Sequence, residues 1–301
     1  GGFRWSKLCK YLARMGHEIH VVTVNWRQQD PNVLLEDVQY PNIIIHRIRS
    51  GYPHNLRHRM FKSRLINDIK NGIFVYIVNR CFFSGGEAQR WGRYLLPYCE
   101  KLLEEEDIEV VVATGGPFQA NRWAAALKRQ NQRIRLIQDF RDPWADDMAK
   151  SWSESKLVTV RTWQRTSVEA ADCVVAVTTG LLKLYLDGTE QRNGYVISNG
   201  YDPDSNVEQK NATPLKSDFS FIYIGDIPAS RQEPLRQFLG AVRRIRPQIP
   251  DVRVTLVGGY RKTPQRLFPD LVQQGVLKLK PYVRQRVAFE MVKRHTYALQ
   301  L

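Results

Sequence analysis

Short apolar runs of strand length alternate along the whole chain with stretches in which apolar residues recur every three or four positions. Strands buried on both faces read as near-continuous apolar runs, and helices covering a sheet read as amphipathic. The alternation therefore predicts an α/β protein built on parallel sheets with helices on both faces. Near the start, Leu8, Tyr11, Leu12 and Met15 recur at helical spacing and Gly16 supplies a C-cap, so a helix leads into a strand at 19–24. Further strands are predicted at 43–46, 110–114, 134–138, 173–177 and 195–197, which fill one doubly wound domain over residues 1–202. After a polar, charged stretch from about 202 to 217 the pattern restarts with strands at 219–225, 252–258 and 276–279, giving a second α/β domain over 203–301. A helix directly after Gly1-Gly2 implies a strand before the glycines, and the last five residues read as the middle of a helix. The reading is that of a fragment.

One stretch departs from a plain α/β pattern. Between His54 and Phe83, Leu56, Met60, Leu65, Ile69 and Ile73 are spaced for one helix face, among Arg57, Arg59, Lys62, Arg64, Lys70 and Arg80. The plainer expectation is a surface helix laying its apolar face on the sheet. The functional one is a membrane-facing helix in which Arg57, Arg59, Lys62 and Arg64 meet anionic lipid, and the two readings are compatible.

Composition narrows the field. A chain of 301 residues with 43% hydrophobic residues is long enough for two packed domains and is not a disordered chain. Its 45 Lys and Arg against 30 Asp and Glu leave a net charge of +15 on a folded surface. Such a surface attracts polyanions, whether nucleic acid, anionic lipid or phosphorylated small molecules. The basic residues are spread through the α/β framework instead of being interleaved with stacking aromatics, so a nucleic acid partner is not expected. Cys9, Cys81, Cys99 and Cys173 lie far apart, without metal-ligand spacing, and read as reduced thiols of a cytoplasmic protein with no metal site. No apolar run approaches the roughly 20 residues that span a bilayer.

The candidate chemistry lies at strand ends. Gly1 and Gly2 precede a helix whose first amides carry partial positive charge, an arrangement that suits a phosphate. Asp139, Arg141, Asp142 and Trp144 follow the strand at 134–138, at the carboxyl edge where open α/β sheets hold ligands. The turn at 199–202 closes the first domain. His17 and His20, by contrast, read as packed or surface histidines. The Gly-x-Gly-x-x-Gly run of a nicotinamide-dependent enzyme is absent.

The order of these pieces carries more than any one of them. Gly1-Gly2, Gly16-His17-Glu18-Ile19-His20-Val21-Val22-Thr23, Thr114-Gly115-Gly116-Pro117-Phe118, Asp139 to Trp144, Ala171-Asp172-Cys173 and Asn199-Gly200-Tyr201-Asp202 together resemble glycosyltransferase family 4. The resemblance implies the GT-B architecture, two Rossmann-like domains facing a cleft, with the acceptor side in the first and the nucleotide-sugar side in the second. It implies transfer of a sugar from a nucleotide-diphosphate sugar to a hydroxyl of a lipid-linked or cell-envelope glycan, with retention. No cofactor and no metal are implied, and the protein would lie in the cytoplasm, peripheral to the membrane. The implied donor-binding residues are Gly1, Gly2, Arg231, Gly258, Gly259, Tyr282 and Val283, and the acceptor-side residues are Thr114, Gly115, Gly116, Arg141 and Trp144. Asp139 and Asp142 are the catalytic candidates. Asp226 stands where many members carry an Arg, leaving Arg231 as the donor cation. A GT-B sugar-nucleotide epimerase and a basic nucleic-acid-binding protein are the alternative readings.

Overall fold

The computed structural model describes residues 2–25, 36–51, 88–145, 153–205, 219–259 and 263–300, with residues 66, 69, 72, 73 and 76. It forms two compact units, the first running to Tyr201 and the second from Asp202. Arg57, Arg59, Lys62, Arg64 and Cys81, most of the polar stretch before 219, and Gly1 lie outside the described residues.

In the first unit, helix α1 (Gly2–Arg14) ends at Gly16, whose φ of +92° lets the chain turn back into strand β1 (Ile19–Val24). Strand β2 (Ile43–Ile48) pairs with β1 in parallel, Ile19 opposite Ile43. Alternation along β1 sends its residues to two different helices. Ile19 and Val21 join Cys9 and Ala13 of α1, while Val22 and Val24 join Trp91 and Leu95 at helix α2 (Gly92–Glu105). The deep positions of α1 are Ser6, Cys9, Lys10 and Ala13, whereas Met15 points to solvent. The apolar face expected at Leu8, Tyr11, Leu12 and Met15 is thus rotated toward Ser6, Cys9, Lys10 and Ala13.

A second parallel sheet carries strands β3 (Val110–Thr114), β4 (Arg135–Phe140), β5 (Cys173–Ala176) and β6 (Gly194–Val196), in that order. Helices α3 (Gln119–Gln130), α4 (Glu154–Glu169) and α5 (Thr179–Leu186) pack on it. Phe140, Trp144, Val160, Val168, Val174 and Tyr185 form its main core, and Leu103, Leu127 and Ile134 form a smaller one. The buried Gln138 amide donates 2.9 Å to the Asn121 carbonyl, and Asn121 Nδ2 donates 2.6 Å to Gln138 Oε1. That reciprocal pair engages both ends of the Gln138 amide and the Asn121 Nδ2 group, and leaves the buried Asn121 Oδ1 without a partner among the described residues. Asp172 accepts a 2.6 Å hydrogen bond from the Leu136 amide and an ion pair at 2.9 Å from Lys128, tying the loop before β5 to β4. Among the described residues, β1–β2 and β3–β6 form two separate sheets within the one predicted domain.

The second unit is a four-stranded parallel sheet ordered β10-β7-β8-β9, with β7 (Ser220–Ile224), β8 (Arg253–Val257), β9 (Leu277–Lys280) and β10 (Tyr297–Ala298). Leu235, Leu239 and Val242 of helix α6 (Ala229–Ile245) close one core with Val254, Leu256, Phe268 and Leu271. Helices α7 (Thr263–Leu267), α8 (Pro269–Gln273) and α9 (Gln285–Lys293) complete the unit. The chain end departs from the expected helix. After α9, Tyr297 and Ala298 pair with Phe221 and Ile222, and the Leu299 amide donates 2.8 Å to the Ile222 carbonyl. The open edge of β7 satisfies these backbone groups, and the Tyr297 ring stacks on Phe221.

Two partly buried histidines link stability to pH. Burial, reinforced by the neighbouring His20 and opposed by Glu106, lowers the His46 pKa. Burial also lowers that of His295, aided by Lys280 and Lys278 and opposed by its bond to the Met291 carbonyl. The unfolded chain therefore takes up these protons before the folded one does. Their contribution is complete above an unfolded pKa of about 6.5 and is lost as pH falls through the lower folded values. The urea midpoint is expected to drop between about pH 7 and pH 5, and a His46→Gln, His295→Gln variant should show a shallower drop; an unchanged slope would remove these two groups as its source.

Candidate functional site

Each unit gathers its motif residues at the carboxyl ends of its strands, and each gathering is described within its own unit. In the first, Asp139 lies at the end of β4, only 1% exposed. It accepts hydrogen bonds from Trp5 Nε1 at 2.8 Å and Thr114 Oγ1 at 3.0 Å, and Arg4 Nη2 reaches it at 3.4 Å. The same guanidinium donates to the carbonyls of Ile197 at 2.9 Å and Ser198 at 3.1 Å, and to Asn199 Oδ1 at 3.1 Å. Arg4 is thus the physical link between the helix that follows the glycine pair, the Asp139 segment and the 199–202 turn. Helical pitch places Arg4 and Trp5 in the first turn of α1, beside Gly2, so the amino end of α1 is fixed over β4 and β6.

The Gly115 amide donates 3.1 Å to the Asp139 carbonyl, and Gly116 turns at φ +91° before a cis peptide to Pro117. Arg141 and Asp142 pair with each other at 3.1 Å on the exposed rim, and the Asp142 carbonyl accepts 2.8 Å from Tyr185. Among the two carboxylates singled out in the sequence, Asp142 presents its side chain to solvent, whereas Asp139 is enclosed with both oxygens engaged. This is the geometry of a residue that positions its neighbours. Trp144, expected on the acceptor side, is 2% exposed; it stacks on Phe118 at 5.3 Å and belongs to the core. A large aromatic ring gains more from burial than from lining a wet rim. His17 is exposed and His20 is half-buried.

In the second unit, three loops close over one another. The Gly225 amide donates 2.9 Å to Val257, the Ile227 amide 2.9 Å to Gly259, and the Gly258 amide 3.0 Å to Lys280. Gly225 has φ +146° and Gly258 φ +128°. A Cβ on Gly258 would overlap the Gly225 backbone, and one on Gly259 would overlap Asp226 Oδ1 and Tyr282 Oη, which are themselves hydrogen-bonded. These glycines therefore serve close backbone approach as well as turning. Tyr282 and the partly exposed Val283 follow β9, with the Tyr282 ring largely in solvent. Arg231 stands in the first turn of α6, its Nη1 donating 2.8 Å to Tyr223 Oη, which donates 2.7 Å to the Asp226 carbonyl. That first turn carries no acidic residue. The Arg231 guanidinium and the positive end of the helix dipole thus lie at the Gly225-Asp226 turn, beside the Asp226 carboxylate that Tyr282 Oη engages.

Gly258→Ala should destabilise the second unit more than Gly275→Ala. Both positions have positive φ, but a Cβ at Gly275 meets nothing within 4 Å. The latter carries only an αL cost, about 1 kcal/mol, and the excess at Gly258 reports its wider φ together with the overlap with Gly225. Equal urea midpoints for the two variants would refute the close approach.

Sequence reasoning overlooked Arg4, Trp5 and Tyr223. Their partners are far away in the chain, and an Arg or Trp in a first helical turn carries no local signature. The sequence of residues 4–205 matches the family model of Glycosyltransferase Family 4. No curated protein matches the chain. Among solved structures, the one reported as trehalose-6-phosphate from E. coli bound with UDP-2-fluoro glucose is similar over 98% of this chain and 74% of its own, with 12% identity and a TM-score of 0.58. TarM is similar over 65% of this chain, with 11% identity and a TM-score of 0.43, and the chain spans 37% of its length. The UDP-GlcNAc 2-epimerase from Methanocaldococcus jannaschii matches over 91% of this chain and 76% of its own, with 14% identity and a TM-score of 0.47. The first of these likenesses gives the fold as GT-B, α/β with parallel sheets. With its match covering two thirds of the sequence, the chain belongs to Glycosyltransferase Family 4.

Proposed function

We propose that the protein transfers a sugar from a nucleotide-diphosphate sugar to a hydroxyl of a glycan or lipid-linked acceptor, with retention at the anomeric carbon and without a cofactor. The observation that carries this reading is the placement of the Arg231 guanidinium and the first turn of α6 beside the Gly225-Asp226 and Gly258-Gly259 loops. It offers a leaving diphosphate a fixed cation and backbone close enough to touch it. Val283 and Tyr282 lie next to those loops and are the proposed nucleotide contacts. In the first unit, Gly2 opens α1, a helix of 13 residues whose amino end suits a phosphate. Thr114, Gly115, Gly116 and Arg141 form the proposed acceptor side, with Asp142 as the accessible carboxylate. Binding and turnover of UDP-, GDP- and ADP-sugars by the full-length protein tests the proposal. Release of nucleotide diphosphate with transfer of the sugar supports it; conversion to an epimer of the donor points to an epimerase, and binding of no donor by the folded protein overturns it.

The acceptor is proposed to be reached at an anionic membrane surface on the cytoplasmic side. Among the described residues no helix is long and apolar enough to cross a membrane. Residues 66, 69, 72, 73 and 76 are helical, and Ile66, Ile69, Ile73 and Tyr76 repeat on one helix face with Ile69 55% and Ile73 56% exposed. The plainer expectation, that this apolar face packs on the sheet, does not hold for these side chains. Exposed isoleucines beside a basic stretch suit insertion at the headgroup boundary. Vesicles containing anionic lipid should retain the protein less as salt rises, and a variant with Arg57, Arg59, Lys62 and Arg64 changed to Gln should bind more weakly. Unchanged retention by that variant would remove the docking helix.

A further inference from the structure

The amino end of β1, at the far end of the strand from the residues above, holds a second cluster of polar side chains. Glu18 and His20 stand two apart on an extended chain and so share a face. Glu106, the C-cap of α2, comes to them from much later in the sequence. One ligand atom from each of Glu18, His20 and Glu106 lies within 4.8 Å of the others. Sequence spacing excluded a metal site because it compared near neighbours along the chain. The third residue of this group is brought in by the packing of α2.

The histidine is backed by a hydrogen-bonded chain. His20 Nδ1 lies 3.0 Å from His46 Nε2, and His46 Nδ1 lies 2.7 Å from Tyr98 Oη. His46 is two residues beyond Ile44, the register partner of His20, so the two rings share a sheet face, stacked with centroids 5.2 Å apart. Both His46 nitrogens and His20 Nδ1 are thereby committed, and His20 Nε2 is the atom aimed at the carboxylates, 3.0 Å from Glu18 Oε1. When Nε2 gives its lone pair to a cation, Nδ1–H donates to His46 Nε2 and His46 Nδ1–H donates to Tyr98. Both nitrogens of each imidazole are then engaged. With a proton on Nε2 instead, the donors and acceptors run the other way. Such backing fixes the tautomer and the ring orientation of metal-bound imidazoles.

We propose that Glu18, His20 and Glu106 form a binding site for one divalent transition ion of the zinc type, with His46 and Tyr98 as positioning residues. One imidazole and two carboxylates suit Zn²⁺ better than Mg²⁺ or Ca²⁺, which prefer oxygen-only ligand sets. Two carboxylates and a neutral imidazole carry a charge that a dication cancels, and both carboxylates are exposed enough for it to enter from solvent. A water would take the fourth position. The ion would tie the turn before β1 to the end of α2, a structural role separate from sugar transfer.

The test is titration of the chelator-stripped full-length protein with Zn²⁺, by calorimetry and by equilibrium dialysis with metal analysis. One saturable ion per chain is expected, undisturbed by excess Mg²⁺. The double variant Glu18→Gln, Glu106→Gln changes only exposed side chains, should keep the wild-type circular dichroism, and should lose the site. His46→Gln should weaken binding about 10- to 100-fold, and His17→Gln should leave it unchanged. Absence of a saturable Zn²⁺ site, full binding by the folded double variant, loss of binding in His17→Gln, or displacement by Mg²⁺ would each overturn the assignment.

Discussion

Asp139→Ala is expected to unfold with about 3 kcal/mol less stability than the parent protein, the low end of the range for breaking a buried charged pair. The carboxylate is 1% exposed and the Arg4 side chain 10%, so solvent does little to screen either charge once its partner is gone. Truncation also strands the Trp5 indole N–H and the Thr114 hydroxyl, each donating to Asp139. The 3.4 Å separation from Arg4 places the effect at the low end of that range. For a unit of this size the loss amounts to a fall of about 6–12 °C in Tm. Asp139→Asn keeps the shape and one acceptor and should cost about half as much. Urea unfolding followed by tryptophan fluorescence is the measurement. An alanine variant within about 0.5 kcal/mol of the parent would mean that Asp139 does not fix α1 to the sheet.

Arg231→Ala in the full-length enzyme is expected to lower kcat/KM for the nucleotide sugar about 100-fold, the effect of removing one preorganised donor from a developing negative charge. If the guanidinium holds the diphosphate in ground and transition states alike, the loss falls on KM. If it meets charge that appears only as the diphosphate leaves, kcat falls. Arg231→Lys should recover part of the activity, because an ammonium supplies the charge without the planar fork that here also spans Tyr223 Oη. Arg231 is exposed, and without it Tyr223 Oη keeps its bond to the Asp226 carbonyl, so the variants should unfold like the parent. Unchanged kcat/KM in a folded Arg231→Ala protein would take Arg231 out of the donor site and with it the observation on which the proposed function rests.

The sequence by itself determined the fold class and nearly every strand. Val252 to Val257 is legible because a strand buried on both faces has no polar phase to confuse the reading, and Val110 to Thr114 is legible from its run of β-branched residues although Val110 and Val112 are exposed. Gly16 and Gly258 were legible as turns because glycine adopts positive φ without the steric cost a side chain brings. The ordered series of motifs along the chain was enough to indicate the family. Only the tertiary structure decided what those motifs do. It buried Trp144 beneath Phe118, enclosed Asp139, and left Asp142 on the rim, three outcomes within a six-residue stretch that no periodicity separates. It turned the chain end into an edge strand, because the unpaired backbone of β7 was a better partner than solvent for Tyr297 to Leu299. It brought Arg4 to Asn199 and Glu106 to His20, contacts whose members are separated by whole supersecondary units. Local pattern encodes which face of an element is apolar. Which polar side chains meet is fixed only when those faces pack.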